Sequence, residues 1–167
     1  MTETVDNHQM NYRLRKATEE DLPFERELFA STREDLRMLD LDRTTVEGLI
    51  TQQFDAQRRY YAGVFGDAEH YIIVRRKESI GRLIVARREK ELHGIDIALL
   101  PPYRNRSIGT HIIRKLCAEA LRNGQQMRIH VLESNRARRL YGRLGFVETG
   151  AIVMNHLEMV YTGEEGE

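Results

Sequence analysis

The chain has almost no means of covalent or metal cross-linking: Cys117 is its only cysteine. An intrachain disulfide and any cysteine-rich zinc cluster are therefore excluded. Long hydrophobic runs are missing as well, and no apolar stretch approaches the ~18 residues of a membrane span. Met1 to Gln9 is polar and lacks the apolar segment of a secretory signal, so a soluble cytoplasmic protein is expected. His8, His70, His111, His130 and His156 show no metal-ligand spacing and read as surface or capping residues, so no metal is expected. Net charge is absent too, with 26 basic and 26 acidic side chains.

What is present fits one domain. At 167 residues, 41% of them hydrophobic, the chain is long enough to bury about two-thirds of its unfolded surface. The charge is unevenly spread: Met1 to Gln57 holds 7 basic and 13 acidic residues, whereas Arg104 to Arg143 holds 10 basic and 2 acidic. One anionic and one cationic surface follow from that asymmetry. Residues 1–10 read as disordered, residues 11–161 as the folded domain, and residues 162–167 as an acidic tail.

Periodicity sets the expected elements. Tyr12 to Ala17 alternates loosely as a first strand. Thr18 and Asp21 are candidate N-caps for a helix over Leu22 to Ser31. Thr44 and Glu47 form a capping-box pattern opening a helix with Val46, Leu49, Ile50, Phe54 and Ala56 on one face, ending before Gly63. Three strands follow, His70 to Arg76, Ile80 to Arg87 and Leu92 to Leu99, separated by short polar turns that suit a meander. Ile108, Ile112, Leu116, Ala120 and Leu121 mark the face of another helix, closed by Asn123-Gly124. Met127 to Leu132 is strand-like, and a basic helix capped by Ser134 or Asn135 runs to near Gly145. Phe146 to Thr149 and Ile152 to Tyr161 pair as a hairpin around Gly150. The order implies an α/β (α+β) sandwich: a mixed, mostly antiparallel sheet of about seven strands flanked by about four helices.

The most informative stretch runs from Asp96 to Phe146. An apolar strand closes at Pro101-Pro102, and the polar turn Tyr103-Arg104-Asn105-Arg106-Ser107-Ile108-Gly109-Thr110 leads straight into a helix. Such a turn leaves backbone N–H groups unpaired, and the helix dipole adds positive potential beside them. A phosphate-bearing ligand is the natural occupant. Gly109 permits close approach of the backbone, because a side chain there would stand between amides and phosphate oxygens.

These residues resemble the GNAT family, the Gcn5-related N-acetyltransferases. The family's acetyl-CoA signature, Gln/Arg-x-x-Gly-x-Gly/Ala after an apolar strand, is matched by Arg104-Asn105-Arg106-Ser107-Ile108-Gly109, with Ser107 replacing the usual first glycine. A second family block, Asn-x-Ala-x-x-Leu-Tyr-x-x-x-Gly-Phe, is complete in Asn135, Ala137, Leu140, Tyr141, Gly145 and Phe146. Arg15-Lys16-Ala17 followed by Asp21 is also typical, so the resemblance spans nearly the whole chain.

The resemblance implies acetyl-CoA as co-substrate and transfer of its acetyl group to a primary amine by direct attack in a ternary complex. Main-chain groups of Ile97 and Leu99 would hold the pantetheine arm. Arg104, Asn105, Arg106, Ser107, Ile108, Gly109 and Thr110 would hold the pyrophosphate. Asn135 would cap its helix and turn toward the arm, and Arg138 belongs to the basic face available to the 3′-phosphate. Tyr141 would protonate the departing thiolate; a thiol pKa of ~8.5 against ~10 for tyrosine makes that only moderately driven. If Ser107 needs a positive φ, serine costs about 1 kcal/mol there.

Other assignments stay open at this stage. Asp96 lies between Ile95 and Ile97, where burial would make it a usable base; equally, it could pair with Arg82 on the adjacent strand. His93 has a suitable ordinary pKa but lies close to a turn, and a water chain needs no side chain. Cys117 is expected to pack inside its helix. The acidic residues Glu25, Glu27, Glu34, Asp35, Asp40, Asp42 and Glu47 suit a cationic acceptor, and Gln53, Gln57, Tyr60 and Tyr61 offer hydrogen bonds to it. Arg136, Arg138, Arg139 and Arg143 also fit a nucleic-acid contact or a tRNA-directed transferase, although no aromatics are interleaved. A scaffold that binds acyl-CoA without turnover is a third reading. The apolar C-terminal strands serve either a core or a homodimer, and no membrane partner is expected.

Overall fold

A computed structural model describes residues 10–163. The expectations for residues 1–9, His8 among them, and for residues 164–167 lie outside this span. The elements in order are β1 (Arg13–Lys16), α1 (Leu22–Ser31), α2 (Glu34–Arg37), α3 (Arg43–Val64), β2 (Glu69–Arg75), β3 (Glu78–Arg87), β4 (Glu91–Leu99), α4 (Ile108–Arg122), β5 (Gln126–Leu132), α5 (Ala137–Arg143), β6 (Phe146–Val153) and β7 (His156–Tyr161). The seven strands form one sheet in the order β1-β2-β3-β4-β5-β7-β6. Two residues join β2 to β3, a connection that only an antiparallel hairpin permits. β4 and β5 are parallel, as their crossover through α4 allows. The expected mixed sheet is present, with five helices rather than four among the described residues.

Contacts divide the chain into two compact units. The first runs to Leu83 and includes Ala98–Arg104. Its helices bury Phe29, Leu36, Val46, Ile50 and Phe54 together, and the Phe29 and Phe54 rings lie 5.7 Å apart. The helical face expected from Val46, Leu49, Ile50 and Phe54 is the packed one, although Ala56 is exposed. Two boundaries differ from expectation. Asp42, not Thr44, caps α3: the backbone is extended at Asp42 and helical from Arg43, so it is the Asp42 carboxylate that accepts the Thr45 N–H, at 2.9 Å. α3 also runs through Gly63 to Val64, since one exposed glycine costs only about 1 kcal/mol. Before α1, Asp21 is held by Arg15 at 2.6 and 2.8 Å and accepts from the Thr18 N–H at 2.8 Å.

The second unit comprises Ile84–Ile97 and the chain from Asn105 onward. α4 buries Ile108, Ile112, Ile113, Leu116, Cys117 and Ala120, while Leu121, expected on that face, is 60% exposed. Cys117 packs as foreseen, and burial pushes its thiol up to about 12. On β5, Met127, Ile129 and Val131 are buried, alternating with Arg128 and His130. The terminal hairpin does not turn at Gly150. It turns at Met154-Asn155, both left-handed with φ 49° and 64°, and asparagine tolerates that region well. Gly150, φ 87°, sits inside β6 where the register shifts between Glu148 and Ile152. Leu157 and Met159 serve the core, whereas Ile152, Val153 and Met154 are exposed.

Candidate active site

The turn ahead of α4 has the geometry its sequence requires of an anion cradle. Asn105 and Ser107 are both left-handed, with φ 56° and 63°, and Ser107 is the N-cap of α4. Its side chain makes no capping bond, while its carbonyl accepts the His111 N–H at 2.9 Å. The N–H groups of Ile108, Gly109 and Thr110 therefore point out of the first turn with no carbonyl inside the helix to meet them. Ser107 thus does occupy the left-handed conformation in which serine carries a cost.

Arg104 and Arg138 are placed differently from what their charges imply. Arg104 Nε donates to the Leu99 carbonyl at 2.8 Å, and its Nη2 reaches the Ser31 carbonyl at 3.2 Å and hydroxyl at 3.1 Å. The side chain therefore ties the end of β4 to the end of α1. Arg138 Nε meets Glu148 Oε1 at 2.5 Å, a partner on β6 that the sequence gives no reason to select. Arg138 and Glu148 border a cavity of about 770 Å³ lined also by Asn135, Arg136, Arg139 and Phe146. Asn135 Oδ1 accepts the Ala137 N–H at 2.9 Å, but the N-cap of α5 is Arg136, so Asn135 closes the turn one residue ahead of the cap rather than capping the helix itself.

β4 pairs with β5 from Glu91↔Gln126 only as far as Gly94↔Ile129, although β4 continues to Leu99 and β5 to Leu132. Residues Ile95 to Leu99 are half-buried despite lying in mid-sheet. Ile97 thus stands where main-chain groups on the β5 side have no ladder partner among the described residues.

Asp96 lies near enough to Tyr141 for its charge to act on the phenol. Tyr141 is buried, with its ring 5.7 Å from Phe146. Burial and the nearby Asp96 charge push its phenol up to about 12. His93 is not the base its ordinary pKa allows: buried and 3.0 Å from His130, it is pushed down to about 4 by desolvation and then by His130. His130, expected at the surface or as a cap, is half-buried, with His93 at 3.0 Å on one side and Glu158 Oε2 at 3.6 Å on the other. The alternation of apolar and polar residues along β5 was the available signal, placing Arg128 and His130 on one face. In the first unit, Arg82 Nη2 donates to Gln57 Oε1 at 3.1 Å. Glu25 is buried, unlike Glu27, Glu34, Asp35, Asp40, Asp42 and Glu47, and Tyr60 and Tyr61 cluster with Phe65. No described helix is long and apolar enough to cross a membrane, and the described residues hold no group of three or more metal-binding side chains.

The profile of the acetyltransferase (GNAT) domain matches residues 66–148. No curated protein matches the chain. Among solved structures, the fold is similar to the PaiA N-acetyltransferase of Thermoplasma acidophilum in complex with coenzyme A, at 16% identity, covering 92% of this chain and 99% of that one, TM-score 0.67. It is similar also to a chimera of the Vibrio cholerae spermidine N-acetyltransferase SpeG (18% identity, 90% and 94% covered, TM-score 0.59). An Elizabethkingia anophelis GNAT acetyltransferase with acetyl-CoA bound shares the fold at 15% identity, 90% and 97% covered, TM-score 0.57. Domain match and fold agree: over residues 66–148 the chain carries a GNAT acetyltransferase domain.

Proposed function

We propose that this protein is an N-acetyltransferase that moves the acetyl group of acetyl-CoA to a primary amine within a ternary complex. The observation that carries the reading is the Asp96–Tyr141 pair. A phenol held neutral by burial, beside a carboxylate, offers a proton donor and a proton acceptor within one site. The α4 turn supports the cofactor: Asn105, Arg106, Ser107, Ile108, Gly109 and Thr110 offer main-chain donors to a diphosphate, and Arg104 shapes the entry to that turn. Ile97 and Leu99 offer main-chain groups to the pantetheine arm, while Asn135 contributes from the turn before α5 and Arg138 from α5.

Acetyl-CoA supplies an activated thioester. In this reading Asp96 accepts the proton that a cationic amine must lose, directly or through water. Tyr141 then hydrogen-bonds the sulfur as negative charge develops on it. Exposed carboxylates of Glu27, Glu34, Asp35, Asp40, Asp42 and Glu47 favour a cationic acceptor by their summed field. A polyamine acceptor is consistent with the spermidine enzyme that shares the fold.

Calorimetry with acetyl-CoA, followed by thiol release with spermidine, an aminoglycoside and a lysyl peptide, tests the proposal. Binding together with release by at least one amine is expected. Release no faster with any amine than in buffer refutes amine acetylation.

A further inference from the structure

A polar chain crosses one face of the second unit. Arg88 Nη1 meets Glu91 Oε1 at 3.0 Å, Glu91 Oε2 meets Arg128 Nε at 3.0 Å, and Arg128 Nη1 meets Glu158 Oε2 at 2.6 Å. Thr149 Oγ1 donates to Glu158 Oε1 at 2.8 Å. The chain continues from Glu158 Oε2 to His130 Nε2 at 3.6 Å and reaches His93, whose Nε2 lies 3.0 Å from His130 Nδ1. We assign the hydrogen of His130 to Nε2, on the side of the Glu158 carboxylate, so that Nδ1 accepts from His93 Nε2–H.

The position of this last bond matters more than its chemistry. His93 stands opposite Arg128, and the β4–β5 ladder stops one residue later, at Gly94↔Ile129. His130 is the first β5 residue beyond the ladder, so the two imidazoles join the strands diagonally across the point where pairing ends. The opposite face of that point is packed tightly. A methyl on Gly94 would lie 3.2 Å from Ile129 Cγ2 and 3.3 Å from Met127 Cε, so those side chains sit close over the glycine and would have to give by a few tenths of an ångström to admit one. Polar and apolar contacts thus fix the same point from both faces.

We propose that His93 and His130 are positioning residues, a clasp that sets where β4 and β5 part and thereby places the main chain of Ile95–Ile97 for the pantetheine arm. This inference rests on the cofactor reading above. The two histidines lie on β4 and β5, away in the chain from the diphosphate turn and from Tyr141. The clasp therefore governs the arm's share of binding and leaves the nucleotide's share alone.

Calorimetric titrations of acetyl-CoA and of adenosine 3′,5′-bisphosphate into the full chain separate these shares. His130→Leu removes the acceptor at similar bulk, whereas His130→Asn supplies a carbonyl near the place of Nδ1. We expect His130→Leu to weaken acetyl-CoA about ten-fold, the effect of one lost buried hydrogen bond, with the bisphosphate unchanged within two-fold. His130→Asn is expected to recover most of that loss. His130→Val carries the same expectation should leucine not be accommodated. Equal weakening of both ligands, or acetyl-CoA affinity within two-fold of the parent in the leucine and valine variants, overturns the clasp. Failure of the parent to bind either ligand overturns the cofactor reading itself.

Discussion

Replacing Tyr141 by phenylalanine isolates the phenol hydroxyl while keeping the ring against Phe146. With the phenol at about 12 and a thiol near 8.5, full proton transfer to the thiolate is uphill by roughly 5 kcal/mol. Tyr141 therefore contributes chiefly as a hydrogen-bond donor to developing charge, an interaction of about 1.5–3 kcal/mol. Tyr141→Phe should lower kcat about 10- to 150-fold with KM for acetyl-CoA changed by no more than about three-fold. The melting temperature should hold or rise slightly, because the deleted group is a buried hydroxyl. The sign of the pH effect follows from the raised value: the phenol stays protonated until pH approaches 12, so no falling limb of kcat below about pH 11 belongs to it. Steady-state thiol release from pH 6 to 10 measures both quantities. Turnover of Tyr141→Phe within two-fold of the parent refutes the assignment.

Three further outcomes are expected. Ser107→Gly relieves a left-handed serine that makes no capping bond, gaining about 0.5–1 kcal/mol and roughly 1–4 °C by calorimetry, while Ser107→Ala, still strained, should leave stability unchanged. Asp21, held at about 2 by Arg15, contributes stability above its unfolded pKa near 4 that is lost as pH falls through 2. With Arg15 30% exposed, Asp21→Asn should cost roughly 1–2 kcal/mol in urea unfolding at pH 7 and almost nothing near pH 2. Gly81→Ala would place a methyl 2.4 Å from the Ala98 carbonyl and 2.8 Å from Leu99 Cδ2, so a loss of more than about 2 kcal/mol, or no soluble protein, is expected.

Much of the fold was legible because its signals are periodic. The faces of α3 and α4, the alternation along β5 and the strand–turn–helix run at Pro101 to Thr110 all follow from spacing alone. Caps and turns were less legible where two chemically similar candidates compete. Asp42 and Thr44 both suit an N-cap, and only the backbone decides between them; Gly150 and Asn155 both tolerate positive φ, and strand register chose the latter. At the site, Asp96 and Tyr141 could be named from the sequence, but not their proximity, which depends on where α5 packs. The use of Arg104 and Arg138, and the His93–His130 bond, depend on partners distant in the chain, and no local pattern encodes them.

The fastening made by Arg104 bears on how substitutions at this position should be ranked. Three hydrogen bonds leave two different nitrogens of one flat guanidinium, toward a strand end on one side and a helix end on the other. An ammonium has the same charge but a single donor atom, and cannot span that gap. Lysine is therefore a severe change at position 104, closer to deletion than to conservation, and the damage appears as misplacement of the chain leaving β4 rather than as lost attraction for a phosphate.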